Sequence, residues 1–203
     1  MIDRINSNDI ALLRKFLNSE ETLPEDEFEE VLKHLKIGVY KKGEYLLQQG
    51  EIETKTAVIL EGVLHQFHLV QGDELTINIA LSGTAFNSHT SFILGAPSEQ
   101  IQRVVKDLRF AYLEKNDIER IMKSNPAFSY IIFKKYAIVR MEKDIRAYIL
   151  QHKSANTRFE LFATRHPQSD RYIKEISQKF IAKYLGMSPE AYSRAKSHYF
   201  KHN

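Results

Sequence analysis

Residues 178–197 read QKFIAKYLGMSPEAYSRAKS, and the order of residue types predicts two helices joined by a tight turn. Ala182 is small at a point where two helices must come close together. Gly186 stands where a left-handed backbone can end the first helix without the steric cost of a Cβ atom. Ser188 then offers a side-chain oxygen as a helix cap, and Pro189 suits the first position of the second helix. The stretch therefore predicts a helix-turn-helix.

The second of these helices is expected to have two different faces. Tyr192 and Ala195 point back toward Ala182 and Leu185, so that side packs on the first helix. In DNA-binding proteins of this kind the second helix lies in the major groove. The alternative is a pair of helices that only packs, as in many proteins that do not bind DNA. The DNA hypothesis assigns the opposite, polar side to DNA contact through Ser188, Glu190, Ala191, Ser193, Arg194, Lys196 and Ser197.

The charge of the chain is distributed unevenly. The formal net charge of the 203 residues is only +3, but residues 1–150 carry −3 and residues 151–203 carry +6. The basic excess thus coincides with the predicted helix-turn-helix, where phosphate attraction requires it. A basic surface with no partner is the alternative.

Composition excludes several classes of protein. The chain has no cysteine, so disulfides, thiolate zinc sites, iron–sulfur clusters and cysteine nucleophiles are excluded. No apolar stretch approaches the roughly 18 residues of a membrane span, and the first residues, MIDRINSNDIALLRKF, include acids and lack an apolar signal core. We expect a cytoplasmic protein with no membrane partner.

The middle of the N-terminal half is typical of a β-structure. Seven of the eight glycines lie between Gly38 and Gly95, and short apolar runs recur about every ten residues from Lys36 to Leu113. Glu61-Gly62 and Gln71-Gly72-Asp73 are predicted turns between strands. The pattern predicts an antiparallel roll or barrel.

Helices are predicted on both sides of this roll. Asn8–Leu17 has helical apolar spacing, and Thr22 with Glu25 resembles a capping box that opens a second helix. Pro126 to about Gln151 is predicted as one helix of about 26 residues. It carries more than one apolar stripe, which favours packing against a second copy of itself; burial within one chain is the alternative. The dimer hypothesis places a seam at Ile131, Ile138, Met141, Ile145 and Tyr148.

This order of a roll, a long helix and a helix-turn-helix resembles the CRP/FNR family of bacterial transcription regulators. The motifs that carry the resemblance are Lys42-Gly43-Glu44, Gln49-Gly50-Glu51, Ile59–Val63, Asn125-Pro126 and Ile181–Glu190 with Ser193-Arg194. The resemblance implies an α+β protein with a cyclic-nucleotide-binding-like β-roll sensor domain over residues 1–125, a dimerisation helix over 126–152 and a DNA-binding domain over 153–203. That last domain is expected to be winged-helix-like with the wing shortened or absent, because few residues follow the second helix.

The resemblance also implies partners and roles for individual residues. It implies a homodimer that binds double-stranded DNA, with Glu190 and Arg194 reading base edges. Ser188, Ser193 and Lys196 are assigned to phosphate contacts, which position the domain without reading sequence. RNA polymerase is a further candidate partner of such a regulator, and no residue pattern marks its contact.

The family's cyclic-nucleotide site is altered in this chain. Members that bind a cyclic nucleotide use a Gly-Glu-Leu segment and an Arg-Ser pair, whereas this chain has Phe86–Ser91 and Glu99-Gln100. A carboxylate beside an anionic phosphate is repulsive, so we expect no tight cAMP binding, no cofactor, and an effector that is unknown or absent. The alternative is a filled roll without a pocket. The candidate effector residues are Phe86, Asn87, His89, Thr90, Glu99, Gln100 and Arg103.

Two rival functions follow from the same residues. Small β-rolls also host metal-dependent oxygenases, but His65 and His68 are three apart on a predicted strand and face opposite ways, leaving only His89 as a further ligand. We therefore expect no enzyme. The second rival is a cyclic-nucleotide or other small-ligand sensor whose helical tail binds a protein, and salt dependence of binding would separate it from a DNA-binding protein.

Overall fold

The computed structural model describes residues 5–202, which form one six-stranded antiparallel sheet and nine helices. The chain divides into two compact units, Met1–Lys134 and Lys135–Asn203. The strands are β1 (Lys36–Tyr40), β2 (Tyr45–Leu47), β3 (Lys55–Val70), β4 (Asp73–Leu81), β5 (Ala85–Phe86) and β6 (Gln100–Glu114). The helices are α1 (Ser7–Leu17), α2 (Glu25–His34), α3 (His89–Leu94), α4 (Lys115–Ser124), α5 (Pro126–Gln151), α6 (Ala155–Arg165), α7 (Ser169–Glu175), α8 (Gln178–Tyr184) and α9 (Pro189–His202).

The first unit is built on two long neighbouring strands, β3 and β6. Strand order is β1-β6-β3-β4, while β2 also pairs with β6 and β5 with β3. Leu64 of β3 lies between Ala80 of β4 and Val104 of β6. These three buried side chains belong to one apolar cluster of the roll.

One predicted turn is real and the other is a bend inside a strand. Gln71 and Gly72 both have positive φ, 52° and 90°, which is the two-residue hairpin turn that matches strand twist. The prediction of a turn at Glu61-Gly62 was wrong, because β3 continues through it with shifted pairing to β6. Gly62 has φ 105°, and a Cβ there would lie 2.2 Å from the Asp107 carbonyl oxygen. This glycine lets the two strands bend together.

The N-terminal helices close one apolar core of the first unit. A capping box is present at Asn6 and Asp9 of α1, whereas the one predicted at Thr22 and Glu25 is absent because α2 has no side-chain cap. Glu25 instead pairs with Arg14 at 2.5 Å. The core that these helices share with α4 and the start of α5 includes Leu17, Phe28, Val31, Ile121, Phe128 and Ile131.

The long helix has the predicted length, but the compact units divide inside it. α5 spans 26 residues, and the division falls between Lys134 and Lys135 rather than at its end. Ile131 is 0% exposed and lies in the helical core of the first unit. Its side chain cannot pack against a partner helix, which removes it from the predicted seam.

The second unit consists of the rest of α5 and four further helices. Ser154 caps α6 and accepts from the Thr157 N–H. Phe159 of α6 and Tyr192 of α9 are fully buried with ring centroids 5.5 Å apart, so aromatic rings hold α9 in place. Among residues 5–202 no helix is both long and apolar enough to cross a membrane.

Candidate nucleic-acid interface

The turn between α8 and α9 has the geometry that its glycine predicts. Gly186 has φ +61°. Its N–H donates to the Lys183 carbonyl at 3.1 Å, and the Met187 N–H donates to the Ala182 carbonyl at 3.0 Å. These two bonds close a helix C-terminus in the Schellman arrangement.

The start of α9 is held by Ser188. Its hydroxyl oxygen accepts from the Ala191 N–H at 3.2 Å. Hydrogen bonds from its own backbone N–H and from the Ser188 hydroxyl lower the pKa of Glu190, which keeps its carboxylate ionised. A carboxylate has about four lone-pair sites, so Glu190 retains acceptor capacity for a donor outside the chain.

The two faces of α9 are divided as predicted. Tyr192 and Ala195 are buried, as are Ala182 and Leu185. Ala191 and Lys196 are partly exposed. DNA contact by the seven residues of the predicted DNA face stays a prediction. The exposed members of the predicted DNA face are Ser188, Glu190, Ser193, Arg194 and Ser197.

Two arginines that the sequence did not single out lie against the turn. Arg146 of α5 donates from Nε to the Tyr184 carbonyl at 3.0 Å. Arg158 of α6 donates from Nη1 to the carbonyls of Leu185 and Gly186, at 3.1 and 2.6 Å. No local pattern distinguishes such arginines from solvent-facing ones, because their targets lie 27 to 38 residues away.

A buried polar cluster stands beside α8. The His166 ring accepts at Nδ1 from the Gln168 N–H at 3.2 Å, which leaves Nε2 to donate to the Tyr184 hydroxyl at 3.0 Å. Burial, and then the nearby Arg146 guanidinium, lower the pKa of His166 to about 4. Burial also raises the pKa of Glu142, whose carboxylate accepts from Gln168 at 3.4 Å.

The interior of the roll holds a buried carboxylate that sequence reasoning also missed. Glu53 is 7% exposed, and its carboxylate accepts from the N–H groups of Ser88 and Lys55 and, at 2.8 Å, from the Gln102 amide. The Glu53 N–H donates to the Ser91 hydroxyl. Burial raises the pKa of Glu53, and these hydrogen bonds oppose the rise.

A row of amides crosses the same face of the sheet. Asn78, Gln66 and Gln102 are register neighbours on β4, β3 and β6. The Asn78 amide donates to Gln66 at 2.9 Å, and Gln66 donates to the Asn87 carbonyl at 3.2 Å. The Asn87 Nδ2 is buried with no hydrogen-bond partner among residues 5–202.

The candidate effector residues lie in different environments. Arg103 follows Gln102 on β6 and so faces the other side of the sheet, where its guanidinium pairs with Glu74 at 2.7 Å and lies 5.0 Å from the Phe67 ring centroid. Phe86 packs in the roll core, edge-on to Phe110. The other members besides Asn87 are partly or fully exposed: His89, Thr90, Glu99 and Gln100.

The histidines of the roll have other partners. His65 is fully buried and lies 2.9 Å from the Thr76 hydroxyl, and His68 donates to the Glu99 carbonyl at 3.0 Å. Within the described part of the chain, no three His, Cys, Asp or Glu side chains are grouped so that they could hold a metal.

Four large apolar side chains of α5 are exposed. Tyr130 and Phe133 belong to the first unit, and Met141 and Tyr148 to the second. Phe133 and Met141 are 65% and 62% exposed. Ile138 and Ile145 of the predicted seam are partly buried.

Comparison with known proteins agrees with this architecture. The cyclic nucleotide-binding domain family matches residues 38–125, which cover most of the roll. No curated protein sequence gives a significant match.

Three solved structures of similar fold are transcription regulators. FixK2 from Bradyrhizobium japonicum is 19% identical with a TM-score of 0.67, covering 83% of this chain and 85% of its own. The c-di-GMP responsive global regulator CLP of Xanthomonas campestris is 15% identical with a TM-score of 0.65, covering 88% and 92%. The catabolite activator protein of Thermus thermophilus is 18% identical with a TM-score of 0.55, covering 89% and 85%.

Proposed function

We propose that this chain, which has the fold of the CRP/FNR-family transcription regulators with a cyclic nucleotide-binding domain over residues 38–125, is a homodimeric regulator that binds DNA in a sequence-specific manner. The observation that carries the proposal is the exposed face of α9. The carboxylate of Glu190 and the guanidinium of Arg194 stand one helical turn apart on that face. An arginine can bond bidentately to guanine, and a carboxylate can accept from cytosine N4.

The basic charge of the second unit supports this role. Residues 151–203 carry a formal charge of +6, and lysine or arginine contacts to phosphate supply the sequence-independent part of DNA affinity. Ser188, Ser193 and Lys196 border the two base-reading side chains and are assigned to phosphate contacts. The role that we propose for the second unit is DNA binding and includes no catalytic step.

The exposed apolar residues of α5 support a homodimer. Met141 and Tyr148 are seven residues apart, which is the spacing of a helix–helix seam, and Ile138 and Ile145 border them. Met141→Glu should convert the dimer to monomers in analytical ultracentrifugation, because a carboxylate would be buried without a partner. Met141→Leu should stay dimeric, and a dimeric Met141→Glu variant would place the seam elsewhere.

The roll of this regulator does not hold a cyclic nucleotide in the manner of the family. Arg103 is held by Glu74, and the interior already contains the carboxyl group of Glu53, which offers a phosphate no positive charge. Titration calorimetry with cAMP should show no binding up to about 1 mM, a free energy weaker than about −4 kcal/mol. A micromolar dissociation constant would contradict this.

The function is tested by selection from a randomised DNA duplex pool at about 50 and 200 mM salt. A dimer with two such helices should enrich an inverted repeat with half-sites about 34 Å apart. Affinity should fall steeply with salt. No enrichment, together with capture of a protein partner whose affinity does not change with salt, would favour the sensor alternative, for which the exposed Phe200 of α9 is a candidate contact.

A further inference from the structure

The carbonyl groups at the end of α8 need donors that the helix itself cannot supply. The last carbonyls of a helix have no partner within it. Those of Ala182 and Lys183 accept from the N–H groups of Met187 and Gly186. The next three carbonyls, of Tyr184, Leu185 and Gly186, accept from arginine side chains instead.

One arginine joins the turn to the end of the long helix. Nη1 of Arg158 donates to the carbonyls of Leu185 and Gly186, while its Nε donates to the carbonyl of His152, the residue after α5. A Cβ on Gly186 would lie 3.3 Å from the same Nη1, so the guanidinium approaches the backbone closely. A planar group with five donors can make these bonds together, whereas a lysine cannot.

A second arginine holds the adjacent carbonyl directly from α5. Arg146 lies five residues before the end of this helix, donates to the Tyr184 carbonyl and stacks on the Tyr184 ring, 4.5 Å from its centroid. Two attachment points, at residue 184 and at residues 185–186, fix the direction of the turn as well as its place.

We propose that Arg146 and Arg158 are positioning residues of the helix-turn-helix, which hold its turn to the C-terminal half of α5 and to α6 so that α9 follows any movement of that half of α5. The inference rests on the proposed function, because the orientation that the arginines hold is the one that presents α9 to DNA. Neither arginine belongs to the exposed face of α9, and neither touches a base in this role.

The first test uses the free protein and requires no DNA. Arg158→Met removes the donors but keeps much of the side-chain volume. Hydrogen exchange at the amides of Gly186 and Met187 should become at least about tenfold faster, because their bonds close a turn that has lost its anchor. The matched control is Arg171→Met, which removes an equal charge from an exposed pair with Glu175 and should leave both amides unchanged.

The second test separates positioning from direct contact with DNA. Arg158→Met should weaken binding of every duplex about tenfold, which corresponds to about 1.4 kcal/mol, without changing the slope of affinity against salt or the preferred sequence. A phosphate contact would instead lower that slope by about one. Arg158→Lys should behave like Arg158→Met, because charge alone does not restore the bonds.

The outcomes distinguish the two proposals. If the parent protein binds no duplex, the proposed function fails, and hydrogen exchange still decides the role of the arginines. If exchange at Gly186 and Met187 is the same in Arg158→Met and the parent, or if the salt slope falls by about one, Arg158 is not a positioning residue and the proposal fails.

Discussion

The buried ring of His166 should make the stability of the C-terminal unit depend on pH. Its Nδ1 accepts from the Gln168 N–H and its Nε2 donates to the Tyr184 hydroxyl, so the bonds require the neutral ring. A proton on Nδ1 would turn this nitrogen into a donor that faces the Gln168 N–H, which is also a donor. Burial and the Arg146 guanidinium accordingly lower the pKa of His166 from 6.5 to about 4.

The direction and size of the change in stability follow from the difference between the pKa of His166 in the unfolded chain, 6.5, and in the folded chain, about 4. Below about pH 6.5 the unfolded chain binds a proton at His166 that the folded chain does not bind, so the free energy of unfolding falls as the pH falls from about 6.5 to about 4. A difference of about 2.5 in pKa corresponds to about 3 kcal/mol. Above about pH 7 this contribution is fully present. Glu142 acts in the opposite direction, because burial raises its pKa.

Comparison with His166→Gln isolates the histidine from all other groups. The parent should lose about 2 to 3 kcal/mol more than this variant between pH 7.5 and 4.5, followed in urea through NMR signals of residues 159–192. Signals of that unit are needed because a chain with two units need not unfold in one step. A variant that replaces the exposed His198 serves as the matched control. Equal losses in parent and His166→Gln, or an NMR pKa of His166 near 6.5, would refute the reasoning.

Three further predictions concern single side chains. Gly62→Ala should lower the free energy of unfolding by more than about 2 kcal/mol in urea titration, because the new Cβ would clash with the neighbouring backbone. Gly50→Ala, where φ is +92° and open space surrounds the new Cβ, should lower it by only about 1 kcal/mol. The Tyr192 hydroxyl is buried without a partner among residues 5–202, so Tyr192→Phe should stabilise the second unit by about 1 kcal/mol in thermal unfolding. Tyr184→Phe loses the hydrogen bond to His166 and should destabilise the same unit by about 1 kcal/mol. Arg194→Ala should cost about 1 to 3 kcal/mol of DNA affinity and relax specificity at one base pair in quantitative binding assays; equal binding of all sequences by variant and parent would remove Arg194 from base readout.

The helix-turn-helix could be predicted from sequence because its signals are local. Gly186 needs a left-handed backbone, Ser188 caps the next helix, and the buried and exposed residues of α9 alternate with helical period. Each signal lies within a few residues of the structure that it determines. The same holds for the hairpin turn at Gln71-Gly72.

The errors arose where distant segments decide the structure. A glycine after a glutamate predicts a turn at Glu61-Gly62, but the close approach of Asp107, more than 40 residues away, makes it a bend in a strand. The seam predicted to begin at Ile131 was assigned to a partner helix, although Ile131 belongs to the core of its own unit. Periodicity identifies an apolar stripe without identifying what covers it.

The buried polar residues of the roll were missed by sequence analysis for the same reason. Glu53, Gln66 and Gln102 come from separate strands or loops and meet only in the folded sheet. Singly, each is a polar residue of a type that is mostly exposed. Only the register of β3 and β6 brings them together in the interior.

The amide row in the roll limits which small molecules the roll could admit. A small molecule entering between Asn78, Gln66 and Gln102 would have to replace each hydrogen bond that it broke, because a buried donor or acceptor left without a partner costs about 1 to 3 kcal/mol. If the chain acts as the proposed dimeric regulator, the amount of protein would set the fraction of dimer through mass action, and dilution would lower DNA binding even with no change in ligand.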